Sequence, residues 1–237
     1  MASLANSRVL VVGGSSGIGL AVAEAAVAAG AAVTIASRSR SKLDEALKSL
    51  GPQARSAVLD TADGNALEAF FGATDPFDHI VVSAAQTPTG PVRKLALADA
   101  QQAMESKFWG AYRVARFGRF TERGTLTLVS GFLSERPSAT SVLQGAINAA
   151  LEGLARGLAL ELSPVRVNTV SPGLIDTPLW SKMDQDAKDA MFAKVAVNLP
   201  AKTVGKSADI ANAVLFLMAT PFATGSNVRV DGGGAIA

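Results

Sequence analysis

Short apolar runs alternate with longer segments of helical periodicity along most of this chain. The runs are rich in Val, Ile, Leu and Ala and lack polar alternation, which is typical of strands covered on both faces. They predict seven strands, at residues 8–12, 31–36, 54–59, 77–83, 125–129, 165–170 and 227–230. Helices are predicted between them, at residues 20–29, 41–50, 63–72, 97–120, 141–162 and 207–220.

This succession predicts an α/β fold, in which one doubly wound parallel sheet of about seven strands carries helices on both faces. Such a Rossmann-like arrangement accommodates the whole chain, residues 1–237, as a single domain, because no linker or change of composition divides it. Residues 174–202 are predicted to be an irregular or helical excursion from the sheet.

Composition narrows the possible functions. Hydrophobic residues make up 49% of the chain and charged residues 18%, so a large core is expected. The net charge of +2, without a basic block, argues against a nucleic-acid partner. No cysteine and a single histidine, His79, leave little material for a metal site, so none is predicted. No apolar run approaches a membrane span and residues 1–12 are not patterned as a signal peptide, so we expect a cytoplasmic protein with no membrane partner.

A glycine-rich segment, residues 11–19, joins the first strand to the first helix. Gly13, Gly17 and Gly19 follow the pattern G-x-x-x-G-x-G. A strand that passes through such a turn into a helix N-terminus presents backbone N–H groups to an anion. The segment therefore predicts a site for the phosphates of a dinucleotide, and an ordinary glycine turn without a ligand is the alternative.

The carboxyl ends of parallel strands meet at one edge of a sheet, where ligands of such folds bind. One residue after each of the first six strands is therefore expected at that edge: Gly13, Arg38, Asp60, Ala84, Ser130 and Pro172. An Arg after the second strand suits the 2′-phosphate of NADP(H) better than the free ribose of NAD(H), so NADP(H) is favoured over NAD(H). A solvated basic helix start would explain Arg38 as well. Asp60 can accept a hydrogen bond from the adenine amino group or cap the next helix.

Three motifs now resemble the short-chain dehydrogenase/reductase family. The segment Val12-Gly13-Gly14-Ser15-Ser16-Gly17-Ile18-Gly19 is similar to its TGxxxGIG motif, with Val12 in place of Thr. Residues 166–173 resemble its RVNxVxPG segment, and residues 225–233 resemble its C-terminal strand. The resemblance implies a dinucleotide held along the edge of the sheet. Together with the strand-end argument it gives these candidate cofactor-binding residues: Gly13, Ser15, Ser16, Gly17, Ile18, Ser37, Arg38, Ser39, Asp60, Thr61, Ala84, Ala85, Pro172, Gly173, Ile175 and Thr177.

The resemblance fails at the chemical end. The family transfers a hydride between NAD(P) and a carbonyl or alcohol, with a Tyr proton donor, a Lys four residues later and a Ser. Counting back from residues 166–173 places Gln144 at the Tyr position and Asn148 at the Lys position. The chain's one tyrosine, Tyr112, lies on a different predicted helix.

The family's Asn on the preceding long helix aligns with Lys107, so that Lys and Asn are transposed. Our hypothesis is that Lys107 returns an ammonium to the nicotinamide ribose, where it positions the cofactor or, if buried, donates a proton. A Lys107 that reaches solvent is the alternative. Ser130 is the candidate for the family's serine, although strict spacing lands on Gly131, and Ser134 is a weaker candidate.

The catalytic candidates are thus Ser130, Lys107, Gln144 and Asn148. They favour an NADP(H)-dependent oxidoreductase that reduces a small carbonyl or quinone-like molecule through a non-standard proton relay. The alternative is an NADP(H)-binding sensor or scaffold with little or no dehydrogenase activity. The resemblance also implies a homodimer or homotetramer built on two long helices, and a substrate lid over residues 174–202.

Overall fold

The computed structural model describes residues 4–237, and its centre is a parallel seven-stranded sheet. The strand order is β3-β2-β1-β4-β5-β6-β9. These strands are β1 (Arg8–Val12), β2 (Ala32–Ser37), β3 (Arg55–Val58), β4 (Phe77–Val82), β5 (Phe120–Val129), β6 (Arg166–Pro172) and β9 (Asn227–Val230). The sequence-based prediction of a doubly wound parallel α/β fold is confirmed.

Eight α-helices connect or flank these strands in the described residues. They are α1 (Gly17–Ala28), α2 (Arg40–Leu50), α3 (Gly64–Ala73), α4 (Leu97–Met104), α5 (Gly110–Phe117), α6 (Val142–Glu161), α7 (Gln185–Asn198) and α8 (Ser207–Ala219). A short parallel pair, β7 (Ile175–Asp176) and β8 (Gly205–Lys206), lies apart from the main sheet.

Each central strand supplies side chains to two separate cores. Val9 and Val11 of β1 point into a cluster with α1, α2 and α8, whereas Leu10 and Val12 point into a cluster with α3, α5 and α6. Because successive side chains of a strand alternate between faces, a strand buried on both sides is mostly apolar. This explains the apolar runs that the sequence shows, although β5 and β6 also bury polar side chains.

The strand order reverses between β1 and β4. Both strands run in the same direction, with Val12 beside Val82, so the turn after β1 and the loop after β4 leave the sheet side by side. The main-chain nitrogens of Ser83 and Ala84 both donate to the Val12 carbonyl, at 2.8 and 3.1 Å. This is the topological switch point at which doubly wound sheets bind ligands.

The helix predicted over 97–120 is observed over residues 97–117 and contains a π-helical turn. The chain forms α4, then a π-helical turn at Glu105–Trp109, then α5, and it leaves the helix at Gly118. Phe120, predicted to be helical, begins β5, which is therefore longer than the predicted 125–129. Sequence periodicity does not report a π-turn, because the insertion of one residue per turn shifts the helical phase only locally.

The excursion after β6 is largely helical, which is one of its two predicted forms. The β7–β8 pair closes its base, and α7 fills much of the segment between them. Asp184 caps α7 through its carboxylate, which accepts from the backbone nitrogens of Asp186 and Ala187. In residues 4–237 we find no helix that combines the length and apolar character needed to cross a membrane.

Candidate active site

The glycine turn after β1 is tightly packed against the loop after β4. Gly13 has a φ of +86°, and a Cβ built on it would lie 2.5 Å from the main-chain nitrogen of Ala84. A Cβ on Gly19 would collide with the carbonyl oxygen of Gly13. Only glycine satisfies both the left-handed backbone and these approaches, so the turn is a compact shelf of backbone at the switch point.

Helix α1 opens onto this shelf with free N–H groups. Its N-cap residue Ser16 makes no side-chain capping bond, and the first turn holds no acidic residue. The first N–H groups of a helix need an external partner, and the helix dipole favours an anionic one. Ser15 and Ile18 flank the opening, and Ile18 packs against the core beneath it. These residues fit a dinucleotide pyrophosphate.

Arg38 lies at the end of β2, as predicted, and is exposed. One guanidinium nitrogen donates to Gln86 Oε1 at 3.0 Å, which leaves the remaining donors for an anion. Ser39 caps α2, since its hydroxyl accepts from the Lys42 nitrogen at 3.3 Å. The main-chain nitrogen of Ser39 donates to the Ser37 hydroxyl at 3.4 Å. The three predicted residues thus lie together beside the N-terminus of α2, a setting that suits a ribose phosphate.

Asp60 does not cap the next helix, which was one of its two predicted roles. Its carboxylate accepts from the Ala62 nitrogen at 3.0 Å, and Asp63 is the residue that caps α3. Thr61 is buried against α5, because a Cβ on Gly110 would lie 2.7 Å from the Thr61 hydroxyl. Asp60 therefore stays at the edge of the sheet and Thr61 anchors it there.

The predicted nicotinamide end contacts the glycine turn from the other half of the sheet. Gly173 follows β6 and its nitrogen donates to the Val230 carbonyl at 3.0 Å. Ile175 is buried in the core, and its carbonyl accepts from the Trp180 indole at 3.0 Å. The Thr177 side chain lies 3.6 Å from the position of a Cβ on Gly17. Ala84 and Ala85 after β4, and Pro172 at the end of β6, complete the same edge.

Lys107 lies in the π-helical turn and reaches into the protein. Its Nζ donates to Asn148 Oδ1 at 2.6 Å and to the main-chain carbonyl of Ser130 at 2.8 Å. The two residues that the sequence shows transposed are therefore direct partners, and the alternative of a Lys107 extended into solvent is excluded. An ammonium has three donors, so one remains for another acceptor.

The ammonium of Lys107 is surrounded by protein although the residue as a whole keeps partial contact with solvent. Burial lowers the pKa of Lys107 to about 8, and the negative charge of Glu152 opposes this lowering. An amine with a pKa near neutrality exchanges its proton far more readily than an ordinary lysine does.

Gly131 allows Asn148 to approach β5. A Cβ on Gly131 would lie 2.7 Å from Asn148 Nδ2, well inside van der Waals contact. Asn148 is itself 4% exposed, so its amide is enclosed by protein at this position. The glycine found at the strict serine spacing is thus part of how the Lys107–Asn148 pair fits.

Gln144 lies one turn before Asn148 on α6 and faces the loop after β4. Its Nε2 donates to the carbonyl and the hydroxyl of Thr87, at 3.1 and 3.0 Å. This amide connects the start of α6 to that loop, and it is neither an acid nor a base near neutral pH. Gln144 therefore positions the loop, and its direct participation in chemistry stays a prediction.

Ser130 contacts a buried carboxylate that the sequence-based reasoning missed. Its hydroxyl lies 3.0 Å from Glu152 Oε1 and 3.3 Å from the Val170 carbonyl. Ser134, the weaker serine candidate, donates to the same Glu152 oxygen at 2.7 Å. Glu152 lies one turn after Asn148 on α6, on a face whose other residues are mostly apolar. One acidic residue in a buried helical stripe was the signal that would have revealed it.

Neither His79 nor Tyr112 belongs to this cluster. His79 is buried in β4, where its Nδ1 lies 2.9 Å from the Thr125 hydroxyl. Burial lowers the pKa of His79 to about 4; Asp78 opposes the shift and Arg166 adds to it. Tyr112 is 39% exposed on α5 and packs edge-on against Trp109.

A cavity of 270 Å³ lies beside the turn after β5. It is bounded by the turn after β5, the start of the excursion, α7 and the C-terminal residues. Its lining is mostly apolar, with one arginine and one buried aspartate at its margin: Phe132, Arg136, Leu174, Val195, Asn198, Leu199, Asp231, Gly234 and Ala237.

Comparisons with known sequences find matches along almost the whole chain. The profile of the enoyl-(acyl carrier protein) reductase family matches residues 12–234. The short-chain dehydrogenase/reductase ucsE of Acremonium sp is 31% identical over 99% of this chain and 97% of its own length. D-erythrulose reductase of Gallus gallus is 31% identical over 98% of this chain and 96% of its own.

Solved structures give the same result. A small-chain dehydrogenase in complex with NADPH superposes with a TM-score of 0.84 at 33% identity, covering 98% of this chain and 100% of its own. An NADPH-bound short chain oxidoreductase from Pseudomonas aeruginosa PAO1, described as containing an atypical catalytic center, gives 0.91 at 28% identity, covering 98% of both chains. The chain is therefore a member of the short-chain dehydrogenase/reductase family, an oxidoreductase family whose fold holds a nicotinamide cofactor.

Proposed function

We propose that this protein is an NADP(H)-dependent reductase of small carbonyl or quinone-like molecules, in which Lys107 takes the place of the family's tyrosine as proton donor. One observation carries the proposal. The Lys107 ammonium is held between Asn148 Oδ1 and the Ser130 carbonyl, at 2.6 and 2.8 Å, with a donor to spare and a pKa lowered to about 8.

When bound, NADPH supplies the hydride that reduces the carbonyl carbon. The oxygen of the substrate then gains negative charge and needs a proton. Lys107 holds that proton at Nζ, and Asn148 and Ser130 fix the direction of the side chain without being able to take the proton themselves. Gln144 contributes indirectly, because it fixes the loop of Thr87 that borders the edge of the sheet.

The preference for NADP(H) rests on Arg38. Its exposed guanidinium lies beside the N-terminus of α2 with donors unused, whereas NAD(H) would call for an acidic residue at this position. An Arg38→Ala variant is expected to bind NADPH about 10- to 100-fold more weakly and NADH unchanged, the loss expected for a charge-assisted contact to phosphate. Arg40→Ala, which removes an exposed neighbour paired with Asp44 at 3.9 Å, is the matched control.

In support of the substrate class, the mostly apolar cavity beside the turn after β5 admits a small molecule, and α7 covers one side of it. We propose that residues 174–202 act as the substrate lid. Exposed apolar side chains lie on the two long helical segments, with Trp109 43% and Leu160 84% exposed. They support a homodimer or homotetramer, which light scattering coupled to gel filtration measures.

The test is NADPH oxidation against a panel of quinones, diketones and simple ketones, combined with a titration of NADPH binding. Turnover of at least one class, lost in Lys107→Met, supports the proposal. Tight NADPH binding without turnover of any compound would instead support a sensor or scaffold. That second function is favoured by the absence of a tyrosine from the cluster, since Tyr112 is part of an exposed aromatic group on α5.

A further inference from the structure

Glu152 is a buried carboxylate without a salt bridge. It is 8% exposed, and no lysine or arginine of residues 4–237 lies within ion-pair distance of it. A buried charge is costly unless hydrogen bonds and a nearby opposite charge compensate for it. The fold therefore retains Glu152 at a cost that packing does not explain, one helical turn from Asn148.

The hydrogen bonds of Glu152 involve Ser130, the residue whose main-chain carbonyl accepts from Lys107. Oε1 accepts from Ser130 at 3.0 Å and from Ser134 at 2.7 Å. The main-chain carbonyl of the same Ser130 accepts from Lys107 at 2.8 Å. Ser130 is thus held from both sides, by a carboxylate on its hydroxyl and an ammonium on its carbonyl.

A serine hydroxyl has one proton to donate. Both acceptors within reach of the Ser130 hydroxyl, Glu152 Oε1 and the Val170 carbonyl, are protein atoms and not substrate positions. With the proton engaged there, Ser130 has only lone pairs to offer at the site. The donors that remain in the cluster are the third N–H of Lys107 and the Asn148 amide Nδ2, and of these only the ammonium can transfer a proton.

We propose that Glu152 is a positioning residue, which balances the charge of Lys107 through Ser130 and withdraws the Ser130 hydroxyl proton, so that Ser130 does not compete with the lysine as proton donor to the substrate. This inference rests on the proposed role of Lys107. Glu105, the acidic residue on the lysine's own π-helical turn, is occupied by Arg113 at 2.6 Å. The field that opposes the effect of burial on Lys107 comes from Glu152.

The test replaces Glu152 by Gln, which keeps an oxygen to accept from both serines but removes the charge. The Lys107 titration is followed in NMR spectra of protein labelled with ¹³C in its lysines, and the Lys107 signal is assigned by its loss in Lys107→Met. We expect the Lys107 pKa to fall by about one unit in Glu152→Gln, as for removal of a nearby opposite charge. The pH above which kcat/KM declines should fall by the same amount, while the two enzymes converge at low pH.

Glu161→Gln removes a charge from the exposed end of the same helix and is the matched control, expected to titrate like the wild type. Glu152→Asp keeps the charge and should restore the wild-type Lys107 titration. If Glu152→Gln does not fold, Glu152→Met fills the same volume without charge, and the same lower titration is expected.

An unchanged Lys107 titration in a folded, uncharged variant would overturn the inference. A lower activity at every pH with no displacement of the profile would do the same, since it is the result of a purely structural role. The NMR titration needs no turnover. A wild type inactive on every compound would thus refute the proposed function and still leave the role of Glu152 decided by the spectra.

Discussion

Lys107 gives the most direct test of the proposed proton transfer. Two substitutions separate its charge from its proton. Lys107→Met removes both, whereas Lys107→Arg keeps a cation whose pKa lies far above neutrality, so that it does not release a proton there. A general acid contributes about 10²- to 10⁴-fold to such reactions. We therefore expect both variants to lose kcat/KM by that order, and only Lys107→Met to lose NADPH affinity as well.

The proposed role of Lys107 also predicts the pH dependence of the wild type. In the proposed reaction, reduction needs the protonated ammonium, and burial lowers the pKa of Lys107 to about 8. The rate constant kcat/KM should be nearly flat below pH 7 and fall about tenfold per unit above pH 8, the dependence of a single protonated group. Initial rates of NADPH oxidation with a fixed quinone, measured from pH 6 to about 10 at constant ionic strength, give the profile. A profile without this decline, or wild-type turnover in Lys107→Met, would refute the reasoning.

A variant that does not fold would also lose activity, so the stability of Lys107→Met must be measured as a control. The lowered pKa of Lys107 predicts how that stability depends on pH. Because the folded state lowers the pKa of Lys107, it is the charged form that folding disfavours at neutral pH, and stability due to this group rises with pH above about 8. Removal of the charge in Lys107→Met ends this cost but leaves the Glu152 carboxylate without its compensating charge, so the Tm should stay close to that of the wild type. A Tm well below the wild type would mean that the loss of turnover in this variant reports a loss of folding.

Three further predictions concern stability and packing. His79, whose pKa burial lowers from 6.5 to about 4, remains neutral when the unfolded chain has already gained a proton, so unfolding free energy should fall by up to about 3 kcal/mol between pH 6.5 and 4. Denaturant titrations of His79→Asn should lack this part of the decrease; equal pH slopes would contradict it. Gly19→Ala forces a methyl onto the glycine turn and should weaken NADPH binding by more than about tenfold, measured by titration, with Gly157→Ala on an open helix face as the neutral control. Gly131→Ala should displace Asn148 and lower turnover while cofactor binding persists, and unchanged kinetics would exclude the proposed packing.

The sequence alone determined the architecture, because the information is local. The central strand β1 is apolar at each of its buried positions, and such short apolar strands alternate along the chain with longer helical segments. The glycines of the first turn are likewise local requirements: Gly13 has a left-handed φ of +86°, which other residues rarely adopt. Boundaries were less certain where two elements meet, as at Phe120, which the periodicity assigned to a helix and the structure to β5.

The arrangement of the proposed catalytic residues depended on tertiary structure. The sequence placed Lys107 and Asn148 in exchanged positions but left open whether the lysine turns inward. The π-helical turn and the space left by Gly131 decided that question, since they bring Nζ within 2.6 Å of Asn148 Oδ1. The sequence-based prediction did not include Glu152, because the position of a carboxylate in the sequence does not show which residues it will contact. Only the packing of α6 against β5 places it beneath Ser130, out of water, where its charge acts on a lysine 45 residues earlier in the chain.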